Sequence, residues 1–207
     1  MPYPISVKKN NYFEKRKNST VLTPKLLADN IFDIVQSSNW YESENPVVYD
    51  IGCNSGELSL PFKDTAISCV GIDIADVKYH STFIKCDFLT INKNNFPENN
   101  LSRLFLCNPP FNWECQGHGR KLLPELFLRK IFELFGTKVP VVLISPMGMM
   151  LNQRLKSKRW PWLRDCGCEI TSRLVIPIDI FPEVAFHAEV LFFNIHGIKA
   201  TYFLEGV

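Results

Sequence analysis

Apolar residues recur along this chain with two different spacings. Between residues 24 and 37 they fall at every third or fourth position, which predicts an amphipathic helix. Similar patterns predict helices over residues 122–135 and 147–158. Short apolar runs that are typical of buried strands occupy residues 47–51, 69–72, 83–86, 104–107, 139–145, 170–176 and 188–195.

The order of these elements predicts an α/β fold. Strands alternate with helices as far as the last two strands, which follow each other directly. Such an order is typical of three layers, with a mostly parallel seven-stranded sheet between helices and an antiparallel strand at its edge. We expect residues 21–207 to form one domain of this kind. Residues 1–20 are polar and basic, and we interpret them as an arm that is either solvated or in contact with phosphates.

The composition indicates a globular protein. Hydrophobic residues make up 46% of the 207 positions and charged residues 21%, which is not the composition of a disordered chain. Every apolar run is shorter than the roughly 18 residues that a membrane span needs, so we expect no membrane partner. The formal net charge is only +2, so a nucleic-acid surface would have to be a local cluster of basic residues.

The seven cysteines favour a reducing compartment, and we expect a cytoplasmic protein. Most of them lie in or beside apolar runs, as buried free thiols do. Cys166 and Cys168 are separated by one residue, whereas structural zinc sites use a two-residue gap and a second pair of ligands. We therefore predict that the protein holds no metal.

The most distinctive stretch of the sequence follows the predicted strand at residues 104–107. The apolar run ends at Asn108, and Pro109, Pro110 and Phe111 come next. Proline cannot donate to a sheet ladder, so the strand must end here in a stiff, extended turn. Ligands of open α/β sheets bind at the carboxyl ends of strands, which makes the amide, the carbonyls and the ring of this turn candidate site groups.

A glycine-rich loop follows the predicted strand at residues 47–51. It runs from Asp50 through Gly52, Asn54 and Gly56, and the residues after it predict the start of a helix. A strand, a glycine turn and a helix in succession can hold a small polar ligand on backbone amides. Glycine allows the backbone to approach such a ligand closely.

Acidic residues end the next two predicted strands. Asp73 lies about 20 residues past the glycine loop, where a carboxylate can accept from both hydroxyls of a ribose. Asp87 ends the following strand and precedes Phe88. This pair is suited to accept from an exocyclic amine and to cover the face of a purine.

Basic residues and tryptophans are interleaved between residues 154 and 164. Lys156, Lys158 and Arg159 belong to this stretch, which suits contact with a nucleic-acid backbone and stacking on bases. The alternative is a helix end whose cations complement the helix dipole, with tryptophan packed beneath. Trp113 lies in an irregular segment that we interpret as a candidate lid, and we expect it, like Lys156, Lys158 and Arg159, to be a substrate-binding residue.

These motifs resemble those of S-adenosylmethionine-dependent methyltransferases of the Rossmann-like class, and in particular the amino-methyltransferases that act on adenine N6. Residues 50–56 match the cofactor loop of that family, and Asp73 matches its ribose acid. Residues 87–88 match its adenine-binding pair, and residues 108–111 match its catalytic tetrapeptide.

Two further positions bear on the resemblance. Thr23 and Pro24 predict a helix start, with Thr23 as the cap, and they resemble the family segment that closes over the methionine end of the cofactor. Asn54 stands where many members have glycine, and asparagine tolerates the left-handed backbone that the turn requires.

The resemblance implies transfer of a methyl group from S-adenosylmethionine to the N6 amine of adenine in DNA. The Asn108 side-chain oxygen and the Pro109 carbonyl would accept the two hydrogens of the amine, and Phe111 would stack on the base. Three alternatives remain open: adenine in RNA, a glutamine amide in a protein, and a non-catalytic module that binds the cofactor.

Overall fold

The computed structural model of the protein describes residues 21–96, 101–111, 122–150, 157–181 and 187–204. Within these ranges the strands are β1 (Pro46–Ile51), β2 (Ser68–Asp73), β3 (Thr82–Lys85), β4 (Ser102–Cys107), β5 (Val141–Pro146), β6 (Ile170–Val175), β7 (Ala188–Phe193) and β8 (Thr201–Phe203). The helices are α1 (Lys25–Gln36), α2 (Leu60–Asp64), α3 (Leu123–Phe135) and α4 (Arg159–Asp165). Short 3₁₀ turns occupy Lys93–Asn95 and Met147–Met149.

The described strands form one mixed sheet in the order β3-β2-β1-β4-β5-β7-β6-β8. Strand β7 runs antiparallel to both of its neighbours, and the other pairs are parallel. The predicted α/β class with a mostly parallel sheet is confirmed.

The position of the antiparallel strand was predicted wrongly. Strand β7 lies inside the sheet, and all six of its residues are buried, which explains why its sequence is almost wholly apolar. The edge is formed by β8, an eighth strand of three residues that pairs with β6 and ends at the exposed Phe203. A strand of three residues, none of them fully buried, gives no apolar run that a sequence pattern could detect.

Helices cover both faces of the sheet. On one face, α1 and α2 pack on the strand residues that include Val48, Leu104 and Val142. On the other face, α3 packs on the residues adjacent to them, such as Tyr49 and Phe105. This alternation along each strand produces the three predicted layers.

Two helix predictions need correction. Helix α1 begins as expected, but its N-cap is Pro24. Thr23 makes no capping bond, because its hydroxyl oxygen instead accepts a hydrogen bond from Asn108. The described part of the predicted helix at 147–158 is a 3₁₀ turn, and residues 151–156 lie outside the described ranges. A separate helix, α4, occupies the stretch after it, with Pro161 in its first turn where no internal amide partner is needed.

The register of the central strands determines which loops meet. Ile51 of β1 lies beside Cys107 of β4 on one side and beside Ile72 of β2 on the other. The chain leaves β1 towards β2 and β3 and returns to place β4 on the opposite side of β1, so the strand order reverses between β1 and β4. Open α/β sheets bind ligands at the carboxyl edge of such a reversal point.

Candidate active site at the carboxyl edge of the sheet

The glycine loop after β1 is fastened to β2 by its backbone. The amides of Gly52 and Cys53 both donate to Ile72 O, at 2.8 and 3.2 Å. Gly52, Asn54 and Gly56 have positive φ values of 72°, 49° and 92°. The tight turn therefore needs left-handed backbone at each of these positions, and asparagine supplies it at the one that lacks glycine.

Asp73 joins the end of β2 to this loop. Its Oδ2 accepts from the backbone amide of Asn54 at 3.0 Å, and its Oδ1 accepts from that of Ala75 at 2.8 Å. A carboxylate offers about four acceptor positions, so each oxygen can accept one more hydrogen bond. The side chain also lies on the wall of the cavity at this edge of the sheet, where such a partner would enter.

Asn108 is oriented by the segment that precedes α1. Its Nδ2 donates to Thr23 Oγ1 at 3.0 Å and lies 3.3 Å from Val21 O. Because a backbone carbonyl can only accept, the nitrogen must face Val21 and the amide cannot be flipped. The opposite atom, Oδ1, has no donor in the part of the chain that the structure describes. This contact is the reason that Thr23 does not cap α1.

A cavity of about 380 Å³ connects these groups. It is bounded by the loops after β1, β2, β3 and β4, by α3 and by the segment before α1. Its walls are formed by Val21, Gly52, Asn54, Ile72, Asp73, Ile74, Ala75, Val77, Cys86, Asp87, Phe88, Leu89, Asn108, Pro110, Leu123 and Phe127. The wall thus brings together seven of the residues chosen from the sequence: Gly52, Asn54, Asp73, Asp87, Phe88, Asn108 and Pro110.

Asp87 and Phe88 lie on the side of the cavity that β3 provides. The carboxylate is exposed and accepts from the backbone amide of Leu89 at 3.0 Å. The Phe88 ring is buried against Phe127 of α3, with the ring centroids 5.4 Å apart. An acceptor and an aromatic ring are therefore neighbours on the cavity wall.

The remaining members of the tetrapeptide are less accessible than Asn108. Pro109 and Phe111 are buried, and only Pro110 and Asn108 reach the cavity wall. Phe111 is 7% exposed and belongs to the hydrophobic cluster of the α1 face. Its predicted stacking on a substrate ring stays a prediction, and it would require the ring to leave this position.

A buried polar cluster lies directly beneath the glycine loop. Ser59 Oγ donates to Asp50 Oδ2 at 2.5 Å and is 2.8 Å from Tyr79 Oη and 3.1 Å from His80 Nε2. Burial, with a smaller effect from the nearby carboxylates of Glu57 and Asp73, raises the pKa of Asp50 to about 7. Asp50 was expected among the cofactor residues, but it lies behind the loop and not on the cavity wall.

Ser59, Tyr79 and His80 were not chosen from the sequence. No periodicity or motif marks them, because their importance arises from a contact between two connections that are about 20 residues apart. The only feature of the sequence that could have drawn attention to this cluster is that Ser59 lies shortly after the glycine loop.

The basic stretch is only partly described. Trp113 and Lys156 lie outside the described ranges, and so do residues 1–20. Lys158 is exposed at the start of α4. Arg159 instead points inward, where its Nε donates to Glu125 Oε2 at 2.6 Å with the side chain 13% exposed. A phosphate contact through Arg159 would therefore have to break a buried ion pair.

Glu125 is the centre of this second network. Arg129 Nη2 donates to its other oxygen at 2.8 Å, and the Arg129 guanidinium lies 3.7 Å from the ring centroid of Trp162. Arg159 Nη1 also donates to Met149 O at 2.9 Å. The network joins α3 to α4 and to the 3₁₀ turn that follows β5. Glu125 and Arg129 are four residues apart on a predicted helix, a signal from which the pair could have been found.

The described residues contain no group of three or more histidine, cysteine or acidic side chains that could hold a metal ion. Among the helices of the described ranges, none has both the length and the apolar character that crossing a bilayer demands.

The structure resembles several solved proteins at low sequence identity. A type I restriction–modification methyltransferase subunit from Streptococcus thermophilus superposes with a TM-score of 0.61 at 16% identity, over 89% of this chain and 47% of that one. A modification subunit assigned to a type I restriction enzyme of Vibrio vulnificus YJ016 gives a TM-score of 0.62 at 13% identity, over 88% of this chain and 46% of that one. A Listeria monocytogenes protein assigned to the class I S-adenosylmethionine-dependent methyltransferases gives 0.60 at 11%, over 88% and 64%.

These similarities define the fold. The chain has the Rossmann-like fold of the S-adenosylmethionine-dependent methyltransferases. It spans about half the length of the two restriction–modification subunits that it resembles. No protein-family model and no curated protein sequence matches it.

Proposed function

We propose that this protein is an S-adenosylmethionine-dependent methyltransferase that methylates the N6 amine of adenine in DNA. The observation that carries the proposal is the fixed amide of Asn108. Asn108 lines the cavity, and because its nitrogen donates to Thr23 and Val21, its oxygen remains available as a hydrogen-bond acceptor. An acceptor of this kind suits an amine that must become positively charged as it reacts.

The cavity wall fits the proposed cofactor. Gly52 and Asn54 present backbone on one side, and Asp73 retains acceptor capacity for a ribose diol. Asp87 and Phe88 offer an acceptor and an apolar edge for a purine. The acidic side chains Asp73 and Glu57 near the loop suit a ligand that carries positive charge.

S-adenosylmethionine would supply an electrophilic methyl group on a sulfonium: the carbon–nitrogen bond would form as the carbon–sulfur bond breaks, the sulfur would leave as a neutral thioether, and the methylated nitrogen would release one proton to solvent. The protein's own contribution is positioning and charge stabilisation. The Asn108 oxygen accepts one hydrogen of the amine, which aligns the nitrogen lone pair and stabilises the charge that develops on the nitrogen. By the family resemblance the carbonyl of Pro109 would accept the second hydrogen, although Pro109 is buried and does not line the cavity. In a duplex the base has to leave the stack to reach Asn108, since Asn108 lies on a cavity wall.

DNA is preferred over the alternative substrates for two reasons. The tetrapeptide ends in phenylalanine, whereas the glutamine-modifying relatives of the motif usually end in tyrosine. Two of the similar structures are also described as subunits of restriction–modification systems. RNA adenine and a protein glutamine remain the competing substrates, and a module that only binds the cofactor remains the non-catalytic alternative.

Transfer of tritium from labelled S-adenosylmethionine tests the proposal. Purified protein is incubated with duplex DNA, single-stranded DNA, structured RNA and a protein mixture, and the acceptor is digested to identify the labelled component. We expect label in N6-methyldeoxyadenosine. Label in RNA or in glutamine would replace the substrate assignment. Cofactor binding without transfer to any of these polymers would favour the non-catalytic module.

A further inference from the structure

Ser59 Oγ is hydrogen-bonded to the side chains of Asp50, Tyr79 and His80, and it lies 3.2 Å from Gly56 O. When Asp50 is ionised, Ser59 uses its single hydrogen in the 2.5 Å bond to Asp50 Oδ2, and Tyr79 donates its hydroxyl hydrogen to Ser59 Oγ, 2.8 Å away. Tyr79 therefore donates to Ser59, which in turn donates to Asp50 at the start of the glycine loop.

The tautomer of His80 follows in the same way. Its Nε2 lies 3.1 Å from Gly56 O, and a carbonyl can only accept, so Nε2 carries the hydrogen. The other ring nitrogen, Nδ1, is buried without a partner in the described part of the chain. A second proton on Nδ1 would thus be a buried donor with no acceptor, and burial accordingly lowers the pKa of His80.

Two glycines provide the space that these side chains occupy. A Cβ atom at Gly56 would lie 2.5 Å from the His80 ring and 2.7 Å from the Tyr79 ring. A Cβ atom at Gly71, in the interior of β2, would lie 2.7 Å from Tyr79. The two rings also stack on each other, with centroids 4.2 Å apart and an interplanar angle of 29°. The Tyr79–His80 pair is therefore packed against both the loop and the strand beside it.

We propose that Tyr79 and His80 are positioning residues of the cofactor loop, because together with Ser59 they fasten its first residue, Asp50, and its last, Gly56, from behind. The proposal rests on the cofactor site of the proposed function. Neither ring lies on the cavity wall, so each acts through the loop and not on the ligand. They reach the loop from the connection between β2 and β3, which lacks a helix in this structure.

The proposal has a pH dependence that can be assigned to one residue. Several charged and titratable groups face His80. Glu57 lies in the loop, and Lys63 and Asp64 lie in α2. Asp50 of β1 is connected to His80 through Ser59, and Tyr79 stacks on the ring from the same connection. Protonation of the ring disrupts the packing around Nδ1, so the loop loosens as the pH falls below the ordinary histidine value. Asp50 also titrates, but wild type and His80→Gln both retain Asp50, so its contribution to the pH dependence cancels when the two proteins are compared.

The test uses the 207-residue chain and three variants, with His196→Gln as the control because His196 is exposed. Tyr79→Phe removes only the hydroxyl, His80→Phe removes the donor to Gly56, and His80→Gln retains a side-chain N–H donor. Hydrogen exchange of the peptide covering residues 50–60 is measured without ligand. Affinity for S-adenosylmethionine is measured by calorimetry from pH 5.5 to pH 8.

We expect Tyr79→Phe and His80→Phe to speed exchange of the loop and to weaken the affinity, each by roughly threefold to tenfold, as loss of one hydrogen bond would. His80→Gln should retain most of both properties. The wild-type affinity should also fall more steeply towards pH 5.5 than that of His80→Gln, whereas His196→Gln should follow the wild type.

Variants that lower only the melting temperature, with wild-type loop exchange and wild-type affinity at every pH, would overturn the proposal. A wild-type protein that fails to bind S-adenosylmethionine would refute the proposed cofactor instead. In that case the exchange measurement, which needs no ligand, would still decide whether Tyr79 and His80 hold the loop.

Discussion

Asp73 and Asn108, at the carboxyl edge of the sheet, each make hydrogen bonds within the protein. Both side chains also have acceptor positions that remain available to a ligand in the cavity. Asp73 accepts one backbone amide on each oxygen, and Asn108 donates through its nitrogen alone. The internal bonds fix the direction of the remaining acceptors before a ligand arrives. Such preorganisation is what a binding or catalytic site requires.

Replacement of Asp73 by alanine should weaken binding of S-adenosylmethionine. A hydrogen bond to a charged group contributes about 1.5–3 kcal/mol, which corresponds to roughly tenfold or more in affinity. Calorimetry on the variant measures the loss. Asp76→Ala is the matched control, because Asp76 is on the same connection but is exposed and paired with Lys85. Equal affinities in wild type and Asp73→Ala would remove Asp73 from the site.

The buried carboxyl of Asp50 predicts a pH-dependent stability. Its pKa is about 7 in the folded protein and near 3.8 when unfolded, so the folded state binds the proton more tightly. The stabilisation is complete below pH 3.8 and is lost as the pH rises through 7. Between pH 5 and pH 8 this loss amounts to about 2–3 kcal/mol.

Asp50→Asn keeps an acceptor for Ser59 but removes the titration. The free energy of unfolding of Asp50→Asn, relative to wild type, should therefore increase between pH 5 and pH 8. Urea unfolding at the two pH values gives this difference directly. A difference that does not change with pH would mean that Asp50 is not buried as a titrating group.

At the scale of elements, the sequence predicted the strands and the long helices because each buries an apolar pattern of its own. Strands β1 to β7, together with α1 and α3, begin and end within a few residues of the predicted bounds. Strand β8 and α4 escaped prediction for a physical reason. Both are short, and they are stabilised by contacts with distant parts of the chain and not by their own periodicity.

The residues of the candidate site also fall into a group that the sequence could predict and a group that it could not. Residues that follow strands, such as Gly52, Asp73 and Asn108, could be chosen because strand ends meet at one edge of the sheet. The orientation of Asn108 by Val21, and the support of the glycine loop by Tyr79 and His80, depend on tertiary contacts. No local pattern encodes such contacts.

The ion-pair network between α3 and α4 predicts a large effect from a residue outside the cavity. Glu125→Ala would leave Arg129 and Arg159 without their shared carboxylate partner, and breaking a buried pair costs about 3–5 kcal/mol. Denaturant unfolding measures this cost. Glu133→Ala is the control on the same helix, since Glu133 is 66% exposed and pairs with Lys130, a kind of pair worth at most about 1 kcal/mol. Similar losses in the two variants would contradict the account of the network.

At the scale of the whole molecule, the net charge of +2 leaves polymer binding to local clusters. Lys158 and Trp160 are exposed at α4, whereas Arg159 is committed to Glu125. In the basic stretch, Lys158 and Trp160 are thus accessible to a polyanion, whereas Arg159 attaches α4 to α3 through Glu125.

Neutralising Lys156 and Lys158 together, with Arg159 retained, should weaken nucleic-acid binding and flatten its salt dependence. Each phosphate contact contributes about 0.7–0.9 to the slope of log affinity against log salt concentration. Fluorescence anisotropy on DNA and RNA over a salt series measures the slope. Lys25→Ala serves as the control on α1, where Lys25 is exposed and paired with Asp29. A slope equal to that of wild type on both polymers would exclude this surface.

The measurement that tests the central claim most directly compares wild type with Asn108→Ala in two assays on the same preparations. Methyl transfer is followed with tritiated S-adenosylmethionine on the preferred polymer, and cofactor affinity is measured by calorimetry. Because the Asn108 oxygen is proposed to stabilise the reacting amine and not to hold the cofactor, we predict that transfer falls by roughly 100-fold or more while the affinity stays nearly unchanged. Retained transfer, or a parallel loss of transfer and cofactor binding, would contradict the assignment of Asn108 as the acceptor for the amine.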